Sequence, residues 1–86
     1  MTNEELLELK PNMMFKTDEF LGIVVTDPKY YNQMKLTGNI PSVRFTAKVI
    51  GPVGRNRFFD EDYQIGQVVE VDEGLAFAIR NWSLID

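Results

Sequence analysis

The side chains that can do chemistry in this chain are carboxylates, lysines and tyrosines, because its 86 residues include no histidine and no cysteine. Serine–histidine and cysteine–histidine nucleophiles, imidazole or thiolate metal sites, disulfides and a histidine pH switch are therefore excluded. No pair of carboxylates shows a recognisable arrangement for acid–base catalysis. We expect no enzymatic activity, no catalytic residue, no metal and no cofactor.

Two short segments match ligand-binding patterns only in part. Asp60-Glu61-Asp62 places three carboxylates side by side, whereas a calcium loop alternates its ligands and adds a glycine and a distal glutamate. Residues 51–54 match the G-x-x-G pattern of the KH nucleic-acid module, but that module needs a helix on each side and a strand is predicted before this one. We interpret both segments as turns.

Charge is divided along the chain into three segments. Residues 1–27 carry six acids and two bases, residues 28–59 carry six bases and no acid, and residues 60–86 carry seven acids and one base. Either these segments are neighbours that neutralise one another, or the basic middle faces a polyanion or an acidic protein partner. The predicted partner-binding residues are the bases and the paired tyrosines of the middle: Lys29, Tyr30, Tyr31, Lys35, Arg44, Lys48, Arg55 and Arg57.

Residues 42–50 are the longest clean alternation of polar and apolar side chains in the sequence. A period of two predicts a strand with one buried face and one solvated face. The apolar face would carry Val43, Phe45, Ala47 and Val49, and the polar face Ser42, Arg44, Thr46 and Lys48. We expect this central strand to organise the fold and to hold two of the bases on its wet face.

The N-terminal residues predict a short helix. Thr2 and Glu5 have the spacing of a capping box, and Pro11 would end the helix because proline removes a backbone amide. A helix this short is marginal by itself, so Leu6 and one of the two leucines after it must dock on the sheet.

Residues 12–16 and 20–26 predict a first hairpin around a turn at 17–19. Over about 20 residues this part resembles the first two strands of small SH3-like and KOW-type β-barrels. The resemblance rests on a G-x-V segment, Gly22-Ile23-Val24, and departs from the pattern at Asn12, where a glycine is usual. It implies a small β-barrel in which these residues build the first two strands.

For two further segments the sequence allows more than one secondary structure. Asp27-Pro28 suits a helix start and Gly38-Asn39 a helix stop, so residues 28–37 are interpreted as one or two helical turns or a long ordered loop. Residues 66–71 and 75–79 predict a second hairpin, with Asp72-Glu73-Gly74 as its turn. The alternative for the latter is a short helix over residues 73–80.

Together these patterns predict one domain, residues 1–86, of the mainly β class and close to α+β. We expect a five-stranded bent sheet or open barrel with a short N-terminal helix. The predicted core consists of apolar residues from each strand and from the tail: Phe15, Ile23, Val25, Val43, Phe45, Ala47, Val49, Val69, Val71, Leu75, Phe77, Ile79 and Trp82.

The favoured function is that of a non-catalytic protein-binding module, acting as an adaptor, an inhibitor or a virion component. In size and composition the chain is similar to the proteins that small phage genes encode. The alternative is a small β-barrel that binds nucleic acid through the basic middle segment, which the acidic total charge of −4 opposes. We expect a cytoplasmic protein without a membrane span, because no signal sequence and no apolar run of roughly 20 residues is present.

Overall fold

An open antiparallel sheet of six strands, with one short helix near each end of the chain, forms the described fold. The computed structural model describes residues 1–52 and 63–85. The elements in chain order are α1 (Asn3–Leu7), β1 (Met14–Lys16), β2 (Phe20–Val24), β3 (Lys29–Lys35), β4 (Gly38–Pro52), β5 (Val68–Gly74), α2 (Leu75–Asn81) and β6 (Ser83–Ile85). The mainly β prediction is confirmed, although the described sheet has six strands rather than five.

The long strand β4 pairs with three other strands and confirms the predicted central strand. On one edge its first half pairs with β3, where Tyr31 lies opposite Ser42, and its second half pairs with β2, where Ile23 lies opposite Lys48. Its other edge pairs with β5 between residues 42 and 48. From β2 the sheet continues through β1 to β6, so that α2 connects the two outer strands, β5 and β6.

The core lies on the face of the sheet that the alternation in β4 predicts, with all four apolar residues of that face buried. Phe15 of β1 is fully buried at its centre and contacts three other aromatic rings. Its ring centroid lies 5.4 Å from that of Phe45, 5.6 Å from that of Trp82 and 5.9 Å from that of Phe20. The contacts with Phe45 and Phe20 are edge-to-face and the contact with Trp82 is tilted. Aromatic pairs of this kind add to the free energy gained by burying the rings.

Helix α1 confirms the predicted capping box. The Glu5 amide donates to Thr2 Oγ1 at 3.1 Å, and the Thr2 amide donates to Glu5 Oε1 at 2.8 Å. Leu6 and Leu9 are buried in the core, while Leu7 is exposed. The helix and the residues after it therefore cover one side of the core, as the need to dock a marginal helix predicts.

The prediction of helical turns or a loop over residues 28–37 is wrong, because this segment forms β3. All seven residues of β3 pair in continuous register with β4. Lys35 lies opposite Gly38 across a two-residue turn, and Gly38 has a φ of +126° that only glycine adopts without strain. The helix signals at Pro28 and Gly38 are local, and pairing with the rest of β4 overrides them.

The second predicted hairpin is also wrong, and the alternative helix is the one that forms. Asp72-Glu73-Gly74 continues β5 instead of turning, and α2 begins at Leu75. In α2, Ala78 is fully buried whereas Phe77 is 38% exposed. The predicted core position of Phe77 is therefore wrong, since a helix places it away from the Ala78 face.

The prediction of which β2 residues face the core is wrong: the other set of alternating residues is buried. Phe20 and Val24 are buried, Ile23 is only partly buried, and Val25 is 45% exposed. Both faces of this strand are apolar, so its alternation does not determine the orientation. Gly22 lies on the buried face, opposite Phe15 on β1 and opposite β4 on the other side.

We predict that Gly22→Ala destabilises the fold by about 1–3 kcal/mol through overpacking. A Cβ at this position would lie 2.8 Å from Phe20 Cε2 and 3.3 Å from the Lys48 carbonyl oxygen. The Phe20 ring packs between Phe15 and Tyr63, so it has little room to move.

Gly51→Ala is the matched control, because its new Cβ would meet only the Leu21 side chain, at 3.7 Å. Urea unfolding should show a change of less than about 1 kcal/mol for this variant. Equal destabilisation by both substitutions would contradict the packing described for Gly22.

Candidate functional site

The outer face of the sheet, opposite the core, brings together most of the predicted partner-binding residues. Directly opposed residues in an antiparallel sheet share a face. Lys29 lies opposite Arg44, and Arg44 lies opposite Asp72 on the next strand. Five of the eight predicted residues share this face: Lys29, Tyr31, Lys35, Arg44 and Lys48.

Arg44 forms an ion pair with Glu70 of β5, and both side chains are exposed. The hydrogen bond from Arg44 Nε and the charge of Glu70 hold the pKa of Arg44 above its ordinary value. Because water screens an exposed pair, this contact adds little to stability, but it neutralises one base of the outer face. Arg44 is thus one base of the middle segment that pairs with an acid of the last segment.

Tyr31 is held on the same face by Asp72, whose Oδ1 accepts a hydrogen bond from the Tyr31 hydroxyl. This hydrogen bond, followed by burial and the Asp72 charge, raises the pKa of Tyr31. Lys48, in contrast, lies opposite Val68. Among residues 1–52 and 63–85, Arg44–Glu70 is the only ion pair. No acid of these two ranges therefore forms an ion pair with Lys29, Lys35 or Lys48.

Tyr30 lies on the other face of β3, opposite the buried Val43. Its hydroxyl donates a hydrogen bond of 2.6 Å to the Leu6 carbonyl at the end of α1, and burial raises its pKa. The structure therefore separates the paired tyrosines: Tyr31 belongs to the outer face, while Tyr30 ties β3 to the helix.

The β3–β4 ribbon, defined as residues 32–41, extends past the part of β4 that pairs with β5. Its apolar side chains lie in solvent: Met34 is 79% exposed, Leu36 is fully exposed and Ile40 is 39% exposed. None of these three residues is among the predicted partner-binding residues. The signal that the sequence offers is three isolated large apolar residues, at positions 34, 36 and 40, within a segment that is otherwise mostly polar.

Arg55 and Arg57 lie outside the described residues, as do Asp60-Glu61-Asp62 and the second half of the G-x-x-G segment. Among residues 1–52 and 63–85, no group of three or more carboxylates is arranged to hold a metal ion. Within the same ranges, neither helix is long and apolar enough to cross a membrane.

Comparison with protein-family models, with curated protein sequences and with solved structures finds no match to this chain. The resemblance to SH3-like and KOW-type barrels therefore stays a prediction. Function has to be inferred from the geometry and charge of the described surface.

We predict that Tyr30→Phe lowers the free energy of unfolding by about 0.5–1.5 kcal/mol, because it removes the hydrogen bond to the Leu6 carbonyl. Tyr31→Phe is the control on the same strand, and its exposed hydroxyl should contribute little. Urea unfolding of both variants measures the difference. A smaller loss for Tyr30→Phe than for Tyr31→Phe would contradict the structural role of Tyr30.

Proposed function

We propose that this protein is a non-catalytic protein-binding module, and that the β3–β4 ribbon with the adjoining outer face is its contact surface. The observation that carries the proposal is the exposure of Met34, Leu36 and Ile40 on a paired, ordered ribbon. The register places Met34 on the face of β3 that carries Tyr30 and places Ile40 on the outer face, opposite Gln33, with Leu36 in the turn between them. A partner would therefore contact both faces of the ribbon. Exposed apolar side chains concentrated in one segment of a surface are typical of protein contact sites.

Burial of the ribbon by a partner would supply the free energy of binding. Each large apolar side chain that becomes fully buried contributes roughly 1.5–3 kcal/mol. Hydrogen bonds between β3 and β4 already order the backbone, so binding loses less conformational entropy than it would in a disordered segment.

Lys29 and Lys35 would set the charge preference of this surface. They lie on the outer face of β3 and favour a partner with acidic groups around an apolar centre. Glu70 and Asp72 on the neighbouring strand oppose a nucleic-acid ligand, because each lies on the same face and would repel phosphate. An adaptor, an inhibitor or a virion component, in the cytoplasm, would each use such a surface.

The test is capture of partners by the tagged chain from a lysate of the source cells, with and without nuclease. Two variants address the surface: Met34→Ser with Leu36→Ser removes apolar contact, and Lys29→Glu with Lys35→Glu reverses charge. We predict a nuclease-resistant partner that the serine variant fails to capture. The charge variant should bind it more slowly and with altered salt dependence.

The matched control is Lys10→Glu with Lys16→Glu, which changes net charge equally at exposed positions outside β3. Lys16 also lies on the outer face, but on β1, which β4 and β2 separate from β3. This control should leave capture and melting temperature unchanged. Loss of every partner on nuclease treatment would contradict the proposal and favour the nucleic-acid alternative. If the serine variant captured the partner as well as the unchanged chain does, the ribbon would not be part of the contact surface.

A further inference from the structure

A cleft separate from the ribbon opens between β5, the β1–β2 turn and α2. It has a volume of about 190 Å³, which is smaller than the roughly 300 Å³ at which pockets for drug-sized ligands begin. Four aromatic residues line it: Phe20, Tyr63, Phe77 and Trp82. Phe20 and Trp82 are almost fully buried, so a ligand would meet mainly the exposed part of Phe77 and the partly buried Tyr63. A cleft of this size, with an aromatic floor, suits one long side chain of a larger ligand.

The rim of the cleft is acidic. Asp18 and Glu19 come from the β1–β2 turn and Glu73 from β5, and none of the described lining residues is basic. Glu70 and Asp72 also line it, but they already contact Arg44 and Tyr31 on the outer face.

The pKa of Tyr63 reflects the acidic rim of the cleft. Burial, a hydrogen bond with Glu19 and the negative charges of Glu19 and Asp18 raise the pKa of Tyr63 to about 12. The Tyr63 ring also packs on Phe20, with ring centroids 5.0 Å apart. The cleft therefore already disfavours a further negative charge and favours a positive one.

The third feature of the cleft, after its aromatic floor and acidic rim, is the backbone edge of β5 that pairs with no described strand. The Val49 amide donates to the Gln67 carbonyl at 2.8 Å, so hydrogen-bonded pairs with β4 recur at Val69, Val71 and Glu73. The amide and carbonyl groups of Glu70 and Asp72 then point away from β4, along the cleft. Among the described strands, only β4 pairs with β5.

We propose that this cleft binds an extended, arginine-bearing peptide segment of a partner protein. The segment would add as a strand to the outer edge of β5, and an arginine would insert between the acidic rim and the aromatic floor. A guanidinium stacks on aromatic rings and forms charge-assisted hydrogen bonds with carboxylates, which a neutral apolar side chain does not do. With the ribbon, the cleft would provide a second contact surface on one small domain.

The probe is a synthetic peptide that alternates arginine and valine, titrated into the chain while the fluorescence of Trp82 is measured. Trp82 is the only tryptophan, and it lines the cleft. Two comparison peptides test the two parts of the proposal. One replaces arginine with glutamate, and the other replaces each valine with proline, which cannot donate to a strand edge.

Asp18→Asn with Glu19→Gln removes two rim charges without changing size. The β1–β2 turn should survive, because Thr17 Oγ1 accepts hydrogen bonds from the backbone amides of Glu19 and Phe20 at 3.0 and 3.1 Å. We predict at least about tenfold weaker binding of the arginine peptide by this variant, corresponding to about 1.4 kcal/mol. Phe77→Ala should weaken it as well, whereas Lys10→Gln, at an exposed position that does not line the cleft, should bind normally.

The proposal is overturned if the arginine peptide does not bind, if the glutamate or proline peptide binds equally well, or if the neutralised rim variant keeps full affinity. It is also overturned if the chain pairs with itself through β5 and excludes the peptide, which sedimentation at increasing protein concentration would reveal.

Discussion

Backbone pairing along β4 is the constraint on which the rest of the structure depends. Because β3, β2 and β5 all pair with this strand, its register fixes which side chains of each neighbour reach the core. Phe45 faces Phe15 and Trp82, while Arg44 and Lys48 face outward. A shift of one residue would exchange these faces and bury the bases.

Local sequence patterns predicted the elements whose structure is determined locally or by clear alternation, such as the capping box at Thr2 and the strand over residues 42–50. They failed where long-range pairing decides. The helix signals around Pro28 are overridden by pairing with β4. In β2 both faces are apolar, so the sequence does not determine which face is buried; in the structure the buried face is the one that carries Gly22. At Leu75, a chain that must cross from β5 to β6 forms a helix rather than a hairpin.

The distinction between local sequence patterns and long-range pairing also applies to the candidate surfaces. Charge patterning pointed to the bases now found on one outer face, and to their partial neutralisation, seen as Arg44 with Glu70. It did not separate Tyr30 from Tyr31, because that requires the register of β3. The acidic cleft is lined by residues 17–20 and by residues between 63 and 82, two parts of the chain that are far apart in sequence, so no local pattern contains it.

On this interpretation the β3–β4 ribbon serves binding and is dispensable for folding. Tyr31 pairs directly with Ser42, so an Asn-Gly turn can replace residues 32–41 and close a two-residue hairpin. The most direct measurement is the affinity of this shortened chain for the nuclease-resistant partner of the full chain. We predict cooperative unfolding near the midpoint of the full chain, with binding abolished, whereas unchanged affinity would contradict the account.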